Sequence, residues 1–276
     1  MKVKLENLNL NCIVYSSEGK PAYDVLALHG FTGSANDWNF LIPSLSRNNN
    51  VFALDLIGHG QSDSPDDLSM YSTDSIIEQI NTTIEQISAT NLILIGYSMG
   101  GRAALSYAVS YPGKVSGLIL ESTTWGIPEE NFRNERIKSD KKLAEYILSN
   151  DVEKFVDYWM NLDLFATQKK LPAKILSDVR KNKLKNNKIG LANSLLGFGT
   201  GSMPPLHNLV NKIKAPALFI TGEHDSKFTQ INSEIKKHIL NAAHITIPGA
   251  GHNVHLEKPD EFINVINNFL NKLIFL

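Results

Sequence analysis

This chain of 276 residues has one cysteine, Cys12, so no intramolecular disulfide can form. A lone thiol suits a reducing compartment. Net charge is also nearly absent, since 27 Lys and Arg stand against 28 Asp and Glu for a formal −1. With a pI near 6.7 there is no basic excess to hold a polyanion, and no nucleic-acid partner is expected. No apolar run approaches the ~20 residues needed to cross a bilayer. Met1 to Tyr15 alternates polar and apolar residues and lacks the apolar core of a secretory signal. No Cys or His spacing resembles a metal site, so no metal is expected. These absences point to a cytoplasmic protein. Nothing in the sequence sets an oligomeric state, and a monomer is compatible with it.

What is present is an alternation of strands and helices, in a chain long enough for one large α/β domain or two small ones. Val25–Leu28, Val51–Leu54, Leu92–Ile95, Val115–Leu120, Ala217–Ile220 and His244–Ile247 read as strands. Most are continuous apolar runs, as expected of a parallel sheet covered on both faces. Ile76, Ile80, Ile84 and Ile87 form one helical face, with Ser75 and Glu78 as a candidate capping box. Pro259 suits a first helical turn, followed by Phe262, Ile266 and Phe269 at 3–4 spacing. The Asn- and Lys-rich stretches Arg47–Asn50 and Lys181–Lys188 read as solvated loops or helix ends. Between Gly126 and about Asn208 the alternation stops and no strand is evident. The expected organisation is a core of residues 1–125 and 209–276 with a helical lid, 126–208, over the carboxyl ends of the strands.

Gly96-Tyr97-Ser98-Met99-Gly100 lies between a strand and a small-residue helix. A bare G-x-S-x-G is a weak pattern, but that context makes it a nucleophile elbow, with Ser98 lifted above the sheet. A serine hydroxyl becomes reactive when a histidine takes its proton and a carboxylate fixes the histidine's tautomer. His252, in Ala250-Gly-His252-Asn, follows the last strand and is the candidate base. Asp225, in the turn after Ala217–Gly222, is the candidate acid, with Glu121 as its rival. His29, His59 and His255 read as loop-packing residues, and His207, His224, His238 and His244 as structural or surface ones. After the first strong strand, His29-Gly30-Phe31-Thr32-Gly33 turns so that the Phe31 N–H can join that of Met99 as an oxyanion hole. Such a donor is worth roughly 3–4 kcal/mol in a transition state. The glycine turn Asp55–Ser62 reads as structural.

In this order these features resemble the α/β-hydrolase superfamily over essentially the whole chain. Finer segments resemble one family within it, the 2-succinyl-6-hydroxy-2,4-cyclohexadiene-1-carboxylate synthases. They are Asn134-Glu135-Arg136-Ile-Lys-Ser-Asp140, Gly197-Phe-Gly-Thr-Gly201, Gly222-Glu-His-Asp225-Ser-Lys227-Phe228 and Ala250-Gly-His-Asn253. In this chain Thr123-Thr-Trp-Gly126-Ile-Pro128 stands where many members carry a Pro-Gly pair.

The resemblance implies a lyase that eliminates pyruvate from a cyclohexene tricarboxylate on the way to menaquinone or phylloquinone, with Ser98 as proton-abstracting base and no cofactor. It assigns substrate binding to Arg102, Arg136 and Arg180 and to the pocket aromatics Tyr97, Trp159 and Phe165. Arginine suits that task because its planar fork binds carboxylates bidentately and keeps its charge. The superfamily also hosts carboxylesterases, carbon–carbon bond hydrolases and non-catalytic binding proteins. The last typically lose triad members, whereas Ser98, Asp225 and His252 are all present here.

Overall fold

The computed structural model describes residues 1–273. The alternating start of the chain forms an antiparallel pair, β1 (Lys2–Leu5) and β2 (Leu8–Tyr15). Its period of two buries Val3, Leu8, Leu10 and Cys12. Burial pushes the Cys12 thiol up to about 12, so it packs as a small apolar side chain. There follow β3 (Tyr23–Leu28), α1 (Ile42–Leu45), β4 (Asn49–Leu54), α2 (Thr73–Gln86), β5 (Leu92–Tyr97), α3 (Met99–Ser110) and β6 (Gly117–Glu121). Four helices come next, namely α4 (Glu130–Ser149), α5 (Val152–Met160), α6 (Ala173–Lys183) and α7 (Lys188–Phe198), with a 3-10 segment at Asp163–Lys170. The chain then returns as β7 (Ala217–Gly222), α8 (Ser226–Lys237), β8 (Ala242–Ile247), α9 (Val254–Glu257) and α10 (Pro259–Leu273).

All eight strands form one sheet in the order β1-β2-β4-β3-β5-β6-β7-β8, parallel from β4 to β8. β5, β6 and β7 are buried along their whole length, which explains their unbroken apolar runs. Leu26, Leu94, Leu118 and Phe219 face a core layer shared with Ile76, Ile80 and Ala104. Val25, Ile93, Ile119 and Leu218 face the opposite layer, built on Phe262, Ile266 and Leu270 of α10. The four helices between β6 and β7 have a small core of their own, including Ile147, Phe155, Leu191 and Leu195. Among the described residues that stretch contains no strand, and no helix is long and apolar enough to cross a membrane.

Several local expectations need correction. Helix α2 begins three residues earlier than its apolar face suggests. Its cap is Ser72, whose hydroxyl accepts the Ser75 N–H, while Glu78 instead accepts the Tyr111 hydroxyl. In α10 the buried face continues to Leu270, with Phe269 only partly covered at its margin. Asn49 and Asn50 open β4 and are not loop residues. Asn49 is buried because its amide donates to the Leu45 carbonyl.

The Asp55–Ser62 turn is held by its own acid. The Asp55 carboxylate accepts the N–H groups of Ala35 (2.6 Å) and Gln61 (2.8 Å) and the Asn11 amide (2.9 Å). His59 in the same turn is buried and donates from Nδ1 to the Ile57 carbonyl. Burial, then the neighbouring His29, pulls its pKa down to about 3. Below about pH 6.5 the unfolded chain protonates His59 while the folded one keeps it neutral. Stability is therefore lost as pH falls from there toward 3, with a slope of up to about 1.4 kcal/mol per pH unit. In urea unfolding between pH 7 and 4.5, His59→Gln should show a shallower fall than wild type; parallel slopes would contradict this assignment.

Candidate active site

The carboxyl ends of β3, β5, β6 and β7 lie side by side, with Leu28 beside Gly96, Gly96 beside Leu120, Tyr97 beside Glu121 and Glu121 beside Ile220. The loops that follow therefore open on one edge of the sheet. Ser98 joins β5 directly to α3 with φ +50° and ψ −103°, a conformation costing of order 1–3 kcal/mol for a residue with a side chain. Its N–H is tied to the Glu121 carbonyl at 2.8 Å. A Cβ on Gly100 would collide with the carbonyl oxygen of Leu28, and one on Gly96 with that of Gly100. That crowding is the physical cause of the glycines in the motif.

Ser98 Oγ lies 3.2 Å from His252 Nε2, and His252 Nδ1 lies 2.8 Å from Asp225 Oδ2. The loops carrying the two partners are stitched together, since His224 N–H donates to the Ala250 carbonyl and Glu223 N–H to that of Ile247. Glu121, the rival acid, is committed elsewhere. It accepts the backbone N–H of His255 at 3.0 Å and lies 2.6 Å from His255 Nδ1, both residues fully buried. Two His–carboxylate pairs thus sit side by side, and only Asp225's histidine reaches Ser98. The N–H groups of Phe31 and Met99 have no acceptor among the described residues, and both residues line the Ser98 cavity. An array of this geometry can take a proton from the serine and hold a developing oxyanion.

That cavity has a volume of about 310 Å³ and is also lined by Tyr97, Arg102, Arg136, Trp159, Phe165 and Lys227. Arg102, one turn into α3, is buried; it donates to the Phe198 carbonyl at 2.9 Å and to the Thr200 hydroxyl. This gives the Gly197–Gly201 segment its part in the site. Burial, then repulsion from Arg136, pulls Arg102 down to about 9. It stays cationic at neutral pH, but its Nε is buried without a partner among the described residues. Arg136, from α4, is fastened by Nε to Asp140 at 2.8 Å. Trp159 Nε1 is another buried donor without a partner among the described residues. An adjoining cavity of about 430 Å³ shares Phe31, Tyr97 and Phe165 with this one.

Arg180 corrects the expectation from sequence, because it does not line the Ser98 cavity. Glu153 and Asp157, one turn apart on α5, capture its guanidinium at 2.7 Å each. Two carboxylates on one helical face satisfy the fork that would otherwise face a ligand. Conversely, Lys227 and Phe228 belong to the site, although sequence reasoning gave them no role. Lys227 lines the cavity, and the Phe228 ring lies 4.5 Å from that of His252. Their signal was position, two and three residues beyond Asp225 at the start of α8. His207, His238 and His244 lie elsewhere. His207 and His238 pack on Trp125, and His244 meets the Thr221 hydroxyl at 2.8 Å.

Sheet order and serine site together define the class, the α/β-hydrolase fold, and its family model matches residues 24–259. Within that class the chain belongs to the family of 2-succinyl-6-hydroxy-2,4-cyclohexadiene-1-carboxylate synthases. It is 44% identical over 259 residues to a Bacillus subtilis (strain 168) protein provisionally given that name, with 94% of each chain covered. It is 31% identical to the Enterobacter sp. (strain 638) synthase, covering 87% of this chain and 89% of that one. The solved structure of MenH from S. aureus superposes with a TM-score of 0.92 at 34% identity, covering 95% of this chain and 98% of that one.

Asp225→Asn should lower turnover by about 10⁴-fold, because the wrong histidine tautomer then faces Ser98. Glu121→Gln, which alters a carboxylate hydrogen-bonded only to His255 among the described residues and keeps the backbone carbonyl that holds Ser98, should cost less than about tenfold. Steady-state rates of the two purified variants, with circular dichroism to check folding, decide which acid serves Ser98. Gly100→Ala should fail to yield soluble protein or lose about 3 kcal/mol or more, read as a fall in Tm.

Proposed function

We propose that this protein eliminates pyruvate from 2-succinyl-5-enolpyruvyl-6-hydroxy-3-cyclohexene-1-carboxylate, giving 2-succinyl-6-hydroxy-2,4-cyclohexadiene-1-carboxylate for menaquinone or phylloquinone synthesis. The name shared by its relatives supports this reading. The single observation that carries it is Arg102, a buried guanidinium with an unpartnered Nε, facing the same cavity as Ser98 and Arg136. An uncharged ester would leave that cation's desolvation uncompensated, whereas a carboxylate relieves it.

The substrate carries three carboxylates. Arg102, Arg136 and Lys227 are the cations lining the Ser98 cavity, and we assign the three anionic groups to them. Trp159 Nε1 supplies a further donor, and Tyr97 and Phe165 form the apolar wall beside the ring. Burial, then the nearby Glu121, raises the pKa of Tyr97, so its phenol remains a neutral donor.

In the reaction, Ser98 Oγ removes the ring proton on the carbon bearing the succinyl group while its own proton passes to His252 Nε2. Asp225 stabilises the resulting imidazolium. The electron pair from the broken C–H bond spreads onto the succinyl ketone, and the enolate oxygen is held by the Phe31 and Met99 N–H groups. The enolate then reforms the ketone and a double bond to the neighbouring ring carbon. The existing ring double bond shifts by one position, and the bond from the ring to the enolpyruvyl oxygen breaks. The proton on His252 returns through Ser98 to the departing enolate, which leaves as pyruvate. No acyl-enzyme forms. A cytoplasmic location belongs to the same reading, supported by the single buried cysteine.

A pyruvate-release assay with the enolpyruvyl substrate tests this. Wild type should release pyruvate, and Ser98→Ala should lose it by at least about 10³-fold. Arg102→Met and Arg136→Met should each raise KM about tenfold or more, the loss of about 1.4 kcal/mol of binding. Arg180→Met should remain within a few-fold of wild type. Rapid turnover of p-nitrophenyl acetate with no pyruvate formed would favour a carboxylesterase or carbon–carbon bond hydrolase, and no turnover of either a binding protein.

A further inference from the structure

Thr32 directly follows Phe31, is buried, and has φ +66°. A β-branched residue rarely adopts that left-handed conformation. It persists only where its surroundings over-determine it. Part of the restraint is local. Gly33 N–H donates to the Gly30 carbonyl at 2.9 Å, making residues 30–33 a turn with Thr32 at its third position.

The remainder comes from far along the chain. Asn186, buried in the connection between α6 and α7, donates from Nδ2 to the Thr32 carbonyl at 2.8 Å. Its Oδ1 accepts the Gly60 N–H at 3.0 Å. Lys183, at the end of α6, donates from Nζ to the Thr32 hydroxyl at 2.7 Å. Beside them, α7 lies backbone to backbone on the Asp55–Ser62 turn, so close that a Cβ on Gly190 would overlap Gly58.

These contacts form a relay of peptide planes. The Thr32 carbonyl and the Gly33 N–H belong to one planar unit, and the Gly30 carbonyl and the Phe31 N–H belong to another. Asn186 holds the first at its oxygen. Through the Gly33-to-Gly30 hydrogen bond, the first plane holds the second. The His29 ring also donates from Nδ1 to the Gly30 carbonyl at 2.8 Å, while its Nε2 accepts the Leu56 N–H at 3.0 Å. Fixing the Gly30 carbonyl fixes the direction of the Phe31 N–H on the opposite side of the same peptide.

We propose that Asn186 is a positioning residue that sets the aim of the Phe31 N–H at the Ser98 cavity, so that the oxyanion hole is fully aligned while the α6–α7 connection is seated on the 30–33 and 55–62 turns. This rests on reading Phe31 and Met99 as the oxyanion donors. The helical segment then covers the site and also completes its electrostatics.

The test compares wild type, Asn186→Asp and Lys183→Met by the rate at which a fluorophosphonate labels Ser98. The phosphoryl oxygen of that probe occupies the oxyanion hole, and its use requires no elimination chemistry. Asn186→Asp keeps the size and the acceptor for Gly60 but presents an oxygen to the Thr32 carbonyl. It should label roughly 10- to 100-fold more slowly and lose kcat for pyruvate release by a similar factor. KM should stay within about twofold, with circular dichroism confirming that the variant is folded at the assay temperature. Lys183→Met, which frees only the Thr32 hydroxyl, should label a few-fold more slowly, and it supplies the comparison if Asn186→Asp does not fold. Wild-type labelling rates in both variants, or a loss confined to KM, would overturn the proposal. If wild type labels but releases no pyruvate, the lyase reading fails and the labelling comparison still stands. If wild type does not label, the oxyanion reading fails and this proposal with it.

Discussion

Everything functional here depends on a backbone conformation that the chain would not adopt alone. Ser98 sits at positive φ between β5 and α3, and the interior of the sheet makes that tolerable. Its N–H is tied to Glu121 on the neighbouring strand, and α3 begins so close to β3 that a Cβ on Gly100 would collide with the Leu28 carbonyl. Strain of a few kcal/mol at one residue is small beside the burial of β5 and its neighbours. The parallel sheet thus acts as a clamp that holds the partly buried serine in its strained conformation.

Charge is distributed around that serine by the same geometry. Two carboxylates and two histidines converge at the strand ends, and each histidine takes one acid. The Glu121–His255 pair is packed among Trp38, Phe40 and Phe262 and away from Ser98. In the Ser98 cavity Arg102 is desolvated and repelled by Arg136, and its Nε has no partner among the described residues. The Ser–His–Asp array and a buried guanidinium nitrogen without a partner among the described residues line one cavity, the pair of features that the proposed deprotonation of a polyanion would use.

Much of this was legible in the chain. Unbroken apolar runs such as Leu92–Ile95 mark strands covered on both faces, because an exposed face would require alternation. The alternation in Met1–Tyr15, read from sequence only as the absence of a secretory signal, belongs to the half-exposed antiparallel pair at the edge. The elbow was readable because its glycines answer a local steric demand. Less legible were features set by partners distant in sequence. Nothing local to Arg180 says that Glu153 and Asp157 will close on it, and nothing local to Thr32 says that an asparagine 154 residues later will take its carbonyl. Lys183 sits in a lysine-rich stretch that reads as solvent-facing, yet it is drawn partly under cover by that same loop.

The sequence alone therefore determined the sheet, the elbow, the order of Ser98, Asp225 and His252, and the family motifs, since each is a short-range pattern with a local physical cause. Tertiary structure decided which acid pairs with which histidine, which cations reach the cavity, and what restrains the oxyanion loop. Those outcomes depend on the distances among loops that meet only when the sheet aligns its carboxyl ends, and electrostatic and hydrogen-bond energies change steeply over those few ångströms.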